Sequence, residues 1–261
     1  MTERTGAGDP ERTLRLLWRE TPAPSRGPRP GLTVDGVVAA AIELADAEGL
    51  AAVTMRRLAR SLGVAPMSLY TYVPGKAELL DLMLDSVYAR MSRTDLAGLG
   101  RRERVTAVAT ENRDLFRRHP WAATVSTSRP PLGPGLMAKY EHELTAFAGL
   151  GLGDVDMDAA LTFVLGFVQA AARAEAEFAV ADLDTGLTGA QWWESAGPHL
   201  ARLVDPAAYP TAARVGTAAG MAHGGAYHPD HAYDFGLGRV LDGLAALVSP
   251  DGVADPDPGC G

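Results

Sequence analysis

The chain has 261 residues, of which 47% are hydrophobic, and its 24 basic and 32 acidic side chains give a formal net charge of −8. This length suffices for a small domain and a larger one with its own apolar core. The single cysteine, Cys260, excludes an intrachain disulfide. Because no stretch approaches the ~20 apolar residues of a membrane span and the first residues lack a signal-peptide core, we expect a cytoplasmic protein with no membrane partner.

A flexible N-terminal arm is predicted for residues 1–31. Within it, residues 13–20 have apolar side chains at helical spacing, which predicts a short helix that is either docked or transient. Residues 21–31 are too rich in proline and glycine for a regular helix. Arg26 and Arg29 either follow a DNA minor groove, as basic arms do, or belong to a solvated linker, and we favour the linker.

Residues 54–76 hold the most informative pattern in the chain. Thr54 is suited to cap a first helix, Gly63 is suited to end it, and Pro66 fits the first turn of a second helix. Pro74-Gly75 then breaks the second helix. Two short helices joined by a tight turn form a helix-turn-helix, whose second helix enters the DNA major groove. A plain helical hairpin has the same spacing, so the flanking residues must decide between the two.

The flanking residues favour the DNA-binding interpretation. Residues 32–49 predict an amphipathic helix that Thr33 can cap and Gly49 can end, with Asp35 near the positive end of its dipole. Residues 77–91 predict a long helix that joins this head to the rest of the chain. A plain helical hairpin needs only two helices. The predicted order of three short helices followed by a long one therefore favours a helix-turn-helix head.

A long ordered series of residues runs through this region. Its members are Ala40-Ala41, Leu44, Gly49-Leu50, Thr54, Arg56, Leu58-Ala59, Leu62-Gly63-Val64, Ser68-Leu69-Tyr70, Tyr72-Val73, Lys76 and Leu79-Leu80. With this series, residues 32 to about 91 resemble the DNA-binding head of the tetracycline-repressor (TetR) family. Through His119-Pro120-Trp121 and Phe235-Gly236-Leu237, the later residues resemble the C-terminal domain of the tetracycline-repressor type more loosely.

The resemblance implies an all-α fold in two domains. Residues 32–78 would form a three-helix helix-turn-helix head, and residues 79–248 a larger helical-bundle domain for ligand binding and dimerisation. Residues 249–261 are predicted to be a disordered tail. In this family the helix at residues 156–180 and the last helix pair with their symmetry mates. A homodimer is therefore expected to bind a roughly palindromic operator in double-stranded DNA.

The helical pattern continues after the head, and no segment predicts a strand. The predicted helices cover residues 101–118, 133–150, 156–180, 190–203 and 234–248, with a possible break at Gly197-Pro198 and a long loop over residues 204–233.

The charges of the two parts differ. Residues 1–91 hold 11 basic and 11 acidic side chains, whereas the rest holds 13 and 21. Because a neutral head attracts DNA weakly, its affinity for DNA depends on local contacts. The expected DNA-binding residues are Arg56, Ser68, Thr71 and Tyr72 for bases, Pro66 and Met67 for thymine methyl groups, and Thr54, Tyr70 and Lys76 for phosphates.

A helical body of this kind should hold an apolar cavity for a small-molecule effector. Gln169 and Arg173 are the stronger candidates because a buried amide or guanidinium needs a partner. For the aromatic candidates we favour ordinary core packing. The full candidate set is Trp121, Met137, Tyr140, Phe163, Phe167, Gln169, Arg173, Trp192 and Trp193. The expected effector is a small amphipathic or partly aromatic molecule, and no cofactor is expected.

Three other interpretations remain open. His223, His228, Asp230 and His231 could bind a metal, but their spacing fits no standard zinc pattern. We therefore favour a solvated loop and expect no metal. An enzyme is the rival class, although no nucleophile elbow, phosphate loop or dinucleotide motif is present. A hairpin that binds protein is the second rival. We expect a ligand-responsive repressor, with activation as the alternative.

Overall fold

The computed structural model describes residues 3–20 and 32–247. These residues are α-helical apart from loops, a 3₁₀ turn at Leu50–Ala52 and one backbone bridge between Arg4 and Ser126, which confirms the all-α fold. In chain order the helices are α1 (Pro10–Leu17), α2 (Val34–Glu48), α3 (Met55–Ser61), α4 (Pro66–Leu69), α5 (Lys76–Ala89), α6 (Arg101–Arg118), α7 (Pro120–Thr124), α8 (Pro134–Thr145), α9 (Asp154–Thr185), α10 (Gly189–Leu203), α11 (Pro210–His223) and α12 (Pro229–Leu247).

Local signals in the sequence account for the helix ends in the head. The Thr33 hydroxyl accepts the N–H of Gly36 at the start of α2, and the Thr54 hydroxyl accepts the N–H of Arg57 at the start of α3. Gly63, with φ of 65°, makes the turn between α3 and α4. The predicted caps and turn are therefore confirmed.

Helix α5 connects the head to the body and is buried on nearly every side. It packs against α1, α2 and α8, and its buried apolar side chains are Leu79, Leu80, Leu82, Met83, Leu84, Val87 and Tyr88. Glu78, Asp81 and Asp85 are also buried in this helix. A buried carboxylate needs hydrogen-bond donors to replace water, so the neighbours of α5 must supply them.

The N-terminus of α8 supplies the donors for Asp85. The backbone N–H groups of Gly135 and Leu136 donate to its two carboxylate oxygens at 3.2 and 2.8 Å. Burial nevertheless raises the pKa of Asp85. The two helices cross closely here, because a Cβ on Gly135 would lie 2.0 Å from the carbonyl oxygen of Asp85. Only glycine permits this approach.

The N-terminal residues are docked rather than flexible as far as residue 20. Helix α1 begins at Pro10, earlier than the predicted residues 13–20, and the Asp9 carboxylate caps it by accepting the Arg12 N–H. Leu16 and Leu17 of this helix are buried. Of the two predicted alternatives the docked helix is correct, and a flexible arm is wrong for these residues. The predicted linker, residues 21–31, and the predicted tail, residues 249–261 with Cys260, lie outside the described residues.

The second half of the body departs most from the predicted elements. The long loop predicted over residues 204–233 is wrong, because Pro210 starts α11 and Gly224, with φ of 61°, ends it. Glycine-rich sequence obscured this helix. The possible break at Gly197-Pro198 is also wrong, since α10 runs through Pro198. Helix α9 is longer than its predicted span of residues 156–180.

Helix α9 is long and apolar enough to cross a membrane by length and composition alone. An 18-residue window in it has a mean hydropathy of 1.4, which corrects the expectation that no stretch approaches a membrane span. Core helices of globular proteins meet the same criterion, and α9 packs against α6, α7 and α12. Only 28% of the window is buried within the single chain, so much of this helix has no intrachain cover.

Asp81 should make the stability of the fold depend on pH. Burial raises its pKa from 3.8 to about 6, the Gly6 N–H opposes that shift, and Glu78 adds to it. Because the folded pKa exceeds the unfolded value, the folded state binds the proton more tightly. Stability is then fully present below pH 3.8 and is lost as pH rises through about 6.

Urea unfolding of the wild type and of Asp81→Asn at pH 5 and pH 7 measures this effect. Relative to the variant, the wild type should lose roughly 1 kcal/mol of unfolding free energy over this interval. The exposed Asp114→Asn is the control and should follow the wild type. Parallel pH profiles for wild type and Asp81→Asn would contradict the prediction.

Candidate DNA interface and effector site

The second helix of the helix-turn-helix presents a small open face. Leu69 and Val73 have no exposed surface and anchor α4 and the turn after it to the head. Met67 is 76% exposed, and Pro66 and Thr71 are exposed beside it. The anchors on one side therefore direct this face away from the core.

The remaining predicted DNA residues differ in accessibility. Arg56 is exposed on α3, and Tyr70 is exposed after α4, whereas Ser68 and Tyr72 are half-buried. Thr54 is exposed, although its hydroxyl already accepts the Arg57 N–H at 3.2 Å. Most of these predicted residues are thus accessible to solvent, and Ser68 and Tyr72 are the least accessible of them.

Lys76, the predicted phosphate ligand at the start of α5, has a carboxylate partner within the chain. Its Nζ donates to Glu3 Oε1 at 2.6 Å, and both side chains remain partly exposed. A DNA phosphate at this position would have to displace Glu3. No local pattern indicated this contact, because 73 residues separate the partners.

Trp121, a predicted effector residue, joins the body to the head instead. It is buried in α7, and its Nε1–H donates to Asp46 Oδ1 on α2 at 2.7 Å. The His119 Nδ1 atom lies 2.8 Å from the same carboxylate oxygen. Asp46 was missed by the sequence analysis, since nothing local marks an acidic residue on α2 as the partner of a distant indole.

Gln169 and Arg173 of α9 bind the other end of α7. The Gln169 side-chain amide donates to the carbonyl oxygens of Ala123 and Val125 at 3.1 and 3.3 Å. The Arg173 guanidinium donates to Ala123 at 3.0 Å. Their expected need for partners is therefore met by carbonyl groups at the C-terminus of α7.

The other aromatic candidates do not converge on one cavity. Phe167 stacks on Tyr233 with ring centroids 5.7 Å apart, and Tyr140 donates to Asp158 at 2.7 Å. Phe163 is 59% exposed on α9, and Met137 is also exposed on α8. Core packing thus accounts for Phe167, as we favoured, but Phe163 and Met137 lie on open surface.

Trp193 lines an open apolar groove between α10 and α11. The groove has a volume of about 680 Å³, and its lining also includes Leu200, Val204, Tyr209 and Met221. At Gly220 the α11 backbone approaches the Trp193 indole of α10, because a Cβ there would lie 3.0 Å from the Trp193 Nε1 atom.

Trp192 precedes Trp193 and is half exposed, but it is not part of the groove lining. Of the nine predicted effector residues, Trp193 is the one in this groove. Tyr209 and Met221 were missed because the sequence analysis assigned them to a loop.

The three histidines lie where α11 and α12 meet. The ring centroid of His223 is 5.2 Å from that of His228 and 4.6 Å from that of His231. Asp230 does not face them as a free ligand, because Arg113 and Arg117 donate to its Oδ1 atom. The bond from Arg113 is the main cause that lowers the pKa of Asp230. Within residues 3–20 and 32–247, no group of three or more potential ligands is arranged to hold a metal ion.

A buried polar cluster between α5, α6 and α8 also escaped the sequence analysis. Lys139 donates to Glu143 at 2.6 Å, and Asn112 donates to the same carboxylate at 2.6 Å. The Lys139 ammonium lies 5.2 Å from the centre of the Tyr88 ring on α5. Burial lowers the pKa of Lys139. The i, i+4 spacing of Lys139 and Glu143 was the one available signal.

Comparisons with known proteins agree with this architecture. Residues 37–83 match the family of bacterial regulatory proteins described as tetR, and residues 98–248 match the tetracyclin repressor-like C-terminal domain. The chain is 44% identical over 250 residues to the HTH-type transcriptional repressor DrrR1 of Streptomyces coeruleorubidus. That match covers 95% of this chain and 90% of the relative.

Two solved structures illustrate the two binding functions. ActR of Streptomyces coelicolor in complex with actinorhodin is 26% identical, with a TM-score of 0.69 over 85% of this chain and 99% of ActR. BioQ of Mycobacterium smegmatis, solved with its double-stranded DNA operator, is 27% identical, with a TM-score of 0.55 over 82% of this chain and 99% of BioQ.

A helix-turn-helix head on an all-helical body defines a DNA-binding regulator. The chain belongs to the tetR family of bacterial regulatory proteins, and it is a ligand-responsive transcriptional repressor. The expected family and function are therefore confirmed.

The Asp46 contact should contribute measurably to stability. Asp46→Ala leaves the buried Trp121 Nε1–H without its acceptor, which costs about 1–3 kcal/mol. Trp121→Phe removes the donor, so the double variant should be less destabilised than the sum of the two single variants. Urea unfolding measures these free energies, with the half-exposed Trp192→Phe as control. Strict additivity would show that the two residues do not interact.

Proposed function

We propose that the protein forms a homodimer through α9 and α12, and that this homodimer binds a palindromic operator. The supporting observation is the apolar surface that these helices leave uncovered in the single chain. Phe163 and Phe235 are 59% and 61% exposed, and Leu183 and Leu247 are exposed further along the same helices. Large exposed apolar surfaces mark interaction sites, and a two-fold dimer would place two heads about one DNA turn, ~34–36 Å, apart.

In this proposal each head reads DNA with the open face of α4 and with Arg56. Pro66 and Met67 contact thymine methyl groups, and Ser68, Thr71 and Tyr72 join Arg56 at the bases. Thr54 and Tyr70 bind phosphates, and Lys76 does so where a phosphate displaces the Glu3 side chain from it. The family matches support a head at residues 32–78 and an effector and dimerisation domain at residues 79–248. We propose a cytoplasmic location, where DNA is accessible, and a role in binding rather than catalysis.

The proposed effector is a small amphipathic molecule with an aromatic part, and the groove between α10 and α11 is its proposed site. The volume of about 680 Å³ lies within the ~300–1,000 Å³ of typical ligand pockets. The apolar lining with Trp193 and Tyr209 at its sides suits a planar molecule. ActR, solved with actinorhodin, supports a molecule of this kind.

Two connections would carry the effector signal to the head. One is α5, which runs directly from the head into the body. The other is α7, because α9 binds its C-terminal carbonyl groups through Gln169 and Arg173, while Trp121 binds Asp46 on α2. An effector that favours one position of α9 would change the spacing of the two heads through both connections.

Arg56 and Lys76 should differ in how they affect sequence preference. Arg56→Ala should cost about 1–3 kcal/mol of operator binding and relax specificity at one base pair, because arginine bonds base edges. Lys76→Ala should weaken operator and scrambled DNA similarly and reduce the salt slope by about 1.

Fluorescence anisotropy on labelled operator and scrambled duplexes at two salt concentrations measures both effects. The operator would first be located by footprinting the DNA upstream of the chain's own gene. Arg101→Ala, an exposed change on α6, is the control and should leave both affinities unchanged. Equal losses on both duplexes for both variants would refute this division of roles.

Trp193 should contribute more than Trp192 to effector binding. Trp193→Ala removes one wall of the groove, so the concentration of actinorhodin, the first probe, that releases half of the operator should rise about tenfold. Trp192→Ala is the matched control and should change it little. Operator release followed by anisotropy measures both variants. An equal shift for the two variants would place the effector elsewhere in the body.

A further inference from the structure

Residues 3–19, the N-terminal segment, bind the loop that follows α7. The Ser126 N–H donates to the carbonyl oxygen of Glu3 at 3.0 Å, and the Thr5 N–H donates to that of Ser126 at 3.1 Å. Thr5 is 1% exposed, and its hydroxyl donates to the carbonyl oxygen of Arg129 at 2.6 Å. The beginning of the chain is therefore anchored to the body next to α7.

The same segment holds the first two turns of α5. It offers a backbone donor, a guanidinium and a carboxylate to three successive polar side chains of that helix. The contacts are Gly6 N–H to Asp81 Oδ1 at 2.9 Å, Arg12 Nη2 to Glu78 Oε1 at 2.6 Å, and Lys76 Nζ to Glu3 Oε1 at 2.6 Å. Asp81 and Glu78 are buried, so these donors replace part of the water that the carboxylates have lost. The Asp81 Oδ2 atom is buried without a hydrogen-bond partner among the described residues.

Helix α1 extends the contact to the head and to the start of α8. Leu16 and Leu17 are buried, and the Trp18 Nε1–H donates to the carbonyl oxygen of Leu132 at 2.9 Å. Arg19 pairs with Asp35 on α2. The segment thus touches the head, α5 and the loop at residues 125–133.

The docking depends on glycine at position 6. Gly6 has a φ of 64°, and a Cβ there would lie 2.6 Å from the Arg129 Cβ and 3.2 Å from the Arg129 carbonyl oxygen. Any other side chain would strain the backbone and push the segment off the loop. A single methyl group can therefore test the docked state.

We propose that the N-terminal segment acts as a clamp that fixes α5 against the loop at residues 125–133, and so holds the head in the position that operator recognition requires. The proposal rests on the coupling through α5 described above. Movement of α5 relative to the loop would break the bonds of the segment on one side or the other. By favouring one head position, the clamp reduces the ordering cost of binding two half-sites at a fixed spacing.

The ratio of operator affinity to scrambled-DNA affinity is the appropriate measurement. Release of the segment also frees Lys76 from Glu3, and this strengthens phosphate contacts on every sequence alike. Loss of the preferred head position weakens only the operator, whose half-sites demand a fixed geometry. The ratio therefore reports the clamp without interference from the freed lysine.

Gly6→Ala and Thr5→Val, each in the full chain, provide the test. Thr5→Val removes only the hydrogen bonds from the Thr5 hydroxyl to the loop. It therefore tests the proposal even if Gly6→Ala does not fold. Arg15→Gln is the control, since Arg15 pairs only with Glu11 of its own helix among the described ion pairs. Hydrogen exchange of the Thr5 and Ser126 amides reports release of the segment, and anisotropy gives the two affinities.

Both test variants should show faster exchange at Thr5, at Ser126 and in the first turns of α5. Their affinity ratio should fall about five- to tenfold, while Arg15→Gln keeps the wild-type ratio. Fast exchange at Thr5 and Ser126 with an unchanged ratio would overturn the clamp. A wild-type protein that shows no preference for operator over scrambled DNA would instead contradict the proposed function. In that case the clamp would still be overturned if the variants that release the segment showed the wild-type rate of hydrogen exchange in α5.

Discussion

The rest of the structure depends on the burial of three carboxylates in α5. A carboxylate removed from water is tolerated only where donors replace the solvent, and a helix buried on nearly every side cannot provide them itself. The N-terminal segment donates hydrogen bonds to Glu78 and Asp81, and the start of α8 donates them to Asp85. Each donor has to reach one particular oxygen, so these contacts define the position of α5 more narrowly than apolar packing would. Burial still raises the pKa of Asp81 and Asp85, which means that this positioning is achieved at some expense of stability.

A second connection between head and body bypasses α5. Helix α7 has five residues, and both of its ends are held by other elements. Gln169 and Arg173 bind its C-terminal carbonyl groups, while Trp121 and the preceding His119 bind Asp46 of the head. The same short helix thus contacts α9 at one end and α2 at the other. With the N-terminal segment, which pairs with α2 through Arg19 and Asp35, α5 and α7 hold the head to the body.

The sequence predicted what local chemistry determines and missed what distant partners determine. Thr54 at a cap and Gly63 at a turn act within a few residues, and the structure has them where the pattern placed them. Trp121 was assigned to the effector site because its type suited one, but its partner lies 75 residues away. The docking of Thr5 is similar, since its partners are 121 and 124 residues away. Helix α11 was missed for another reason: Gly220 weakens helix propensity, and the packing of Trp193 that explains this glycine is not visible in one sequence.

The charge distribution explains why geometry matters so much in this protein. A strongly basic head gains affinity from phosphates whatever its orientation, because counterion release depends on charge and not on sequence. Residues 1–91, which include this head, have no net charge, and the rest of the chain is acidic. General attraction to DNA is therefore small. In the proposed dimer, a larger share of the binding free energy would come from placing Arg56 and the open face of α4 correctly at the two half-sites. Under that proposal, small movements of the head change operator occupancy, so contacts that position the head, such as that of Asp46 with Trp121, bear on regulation.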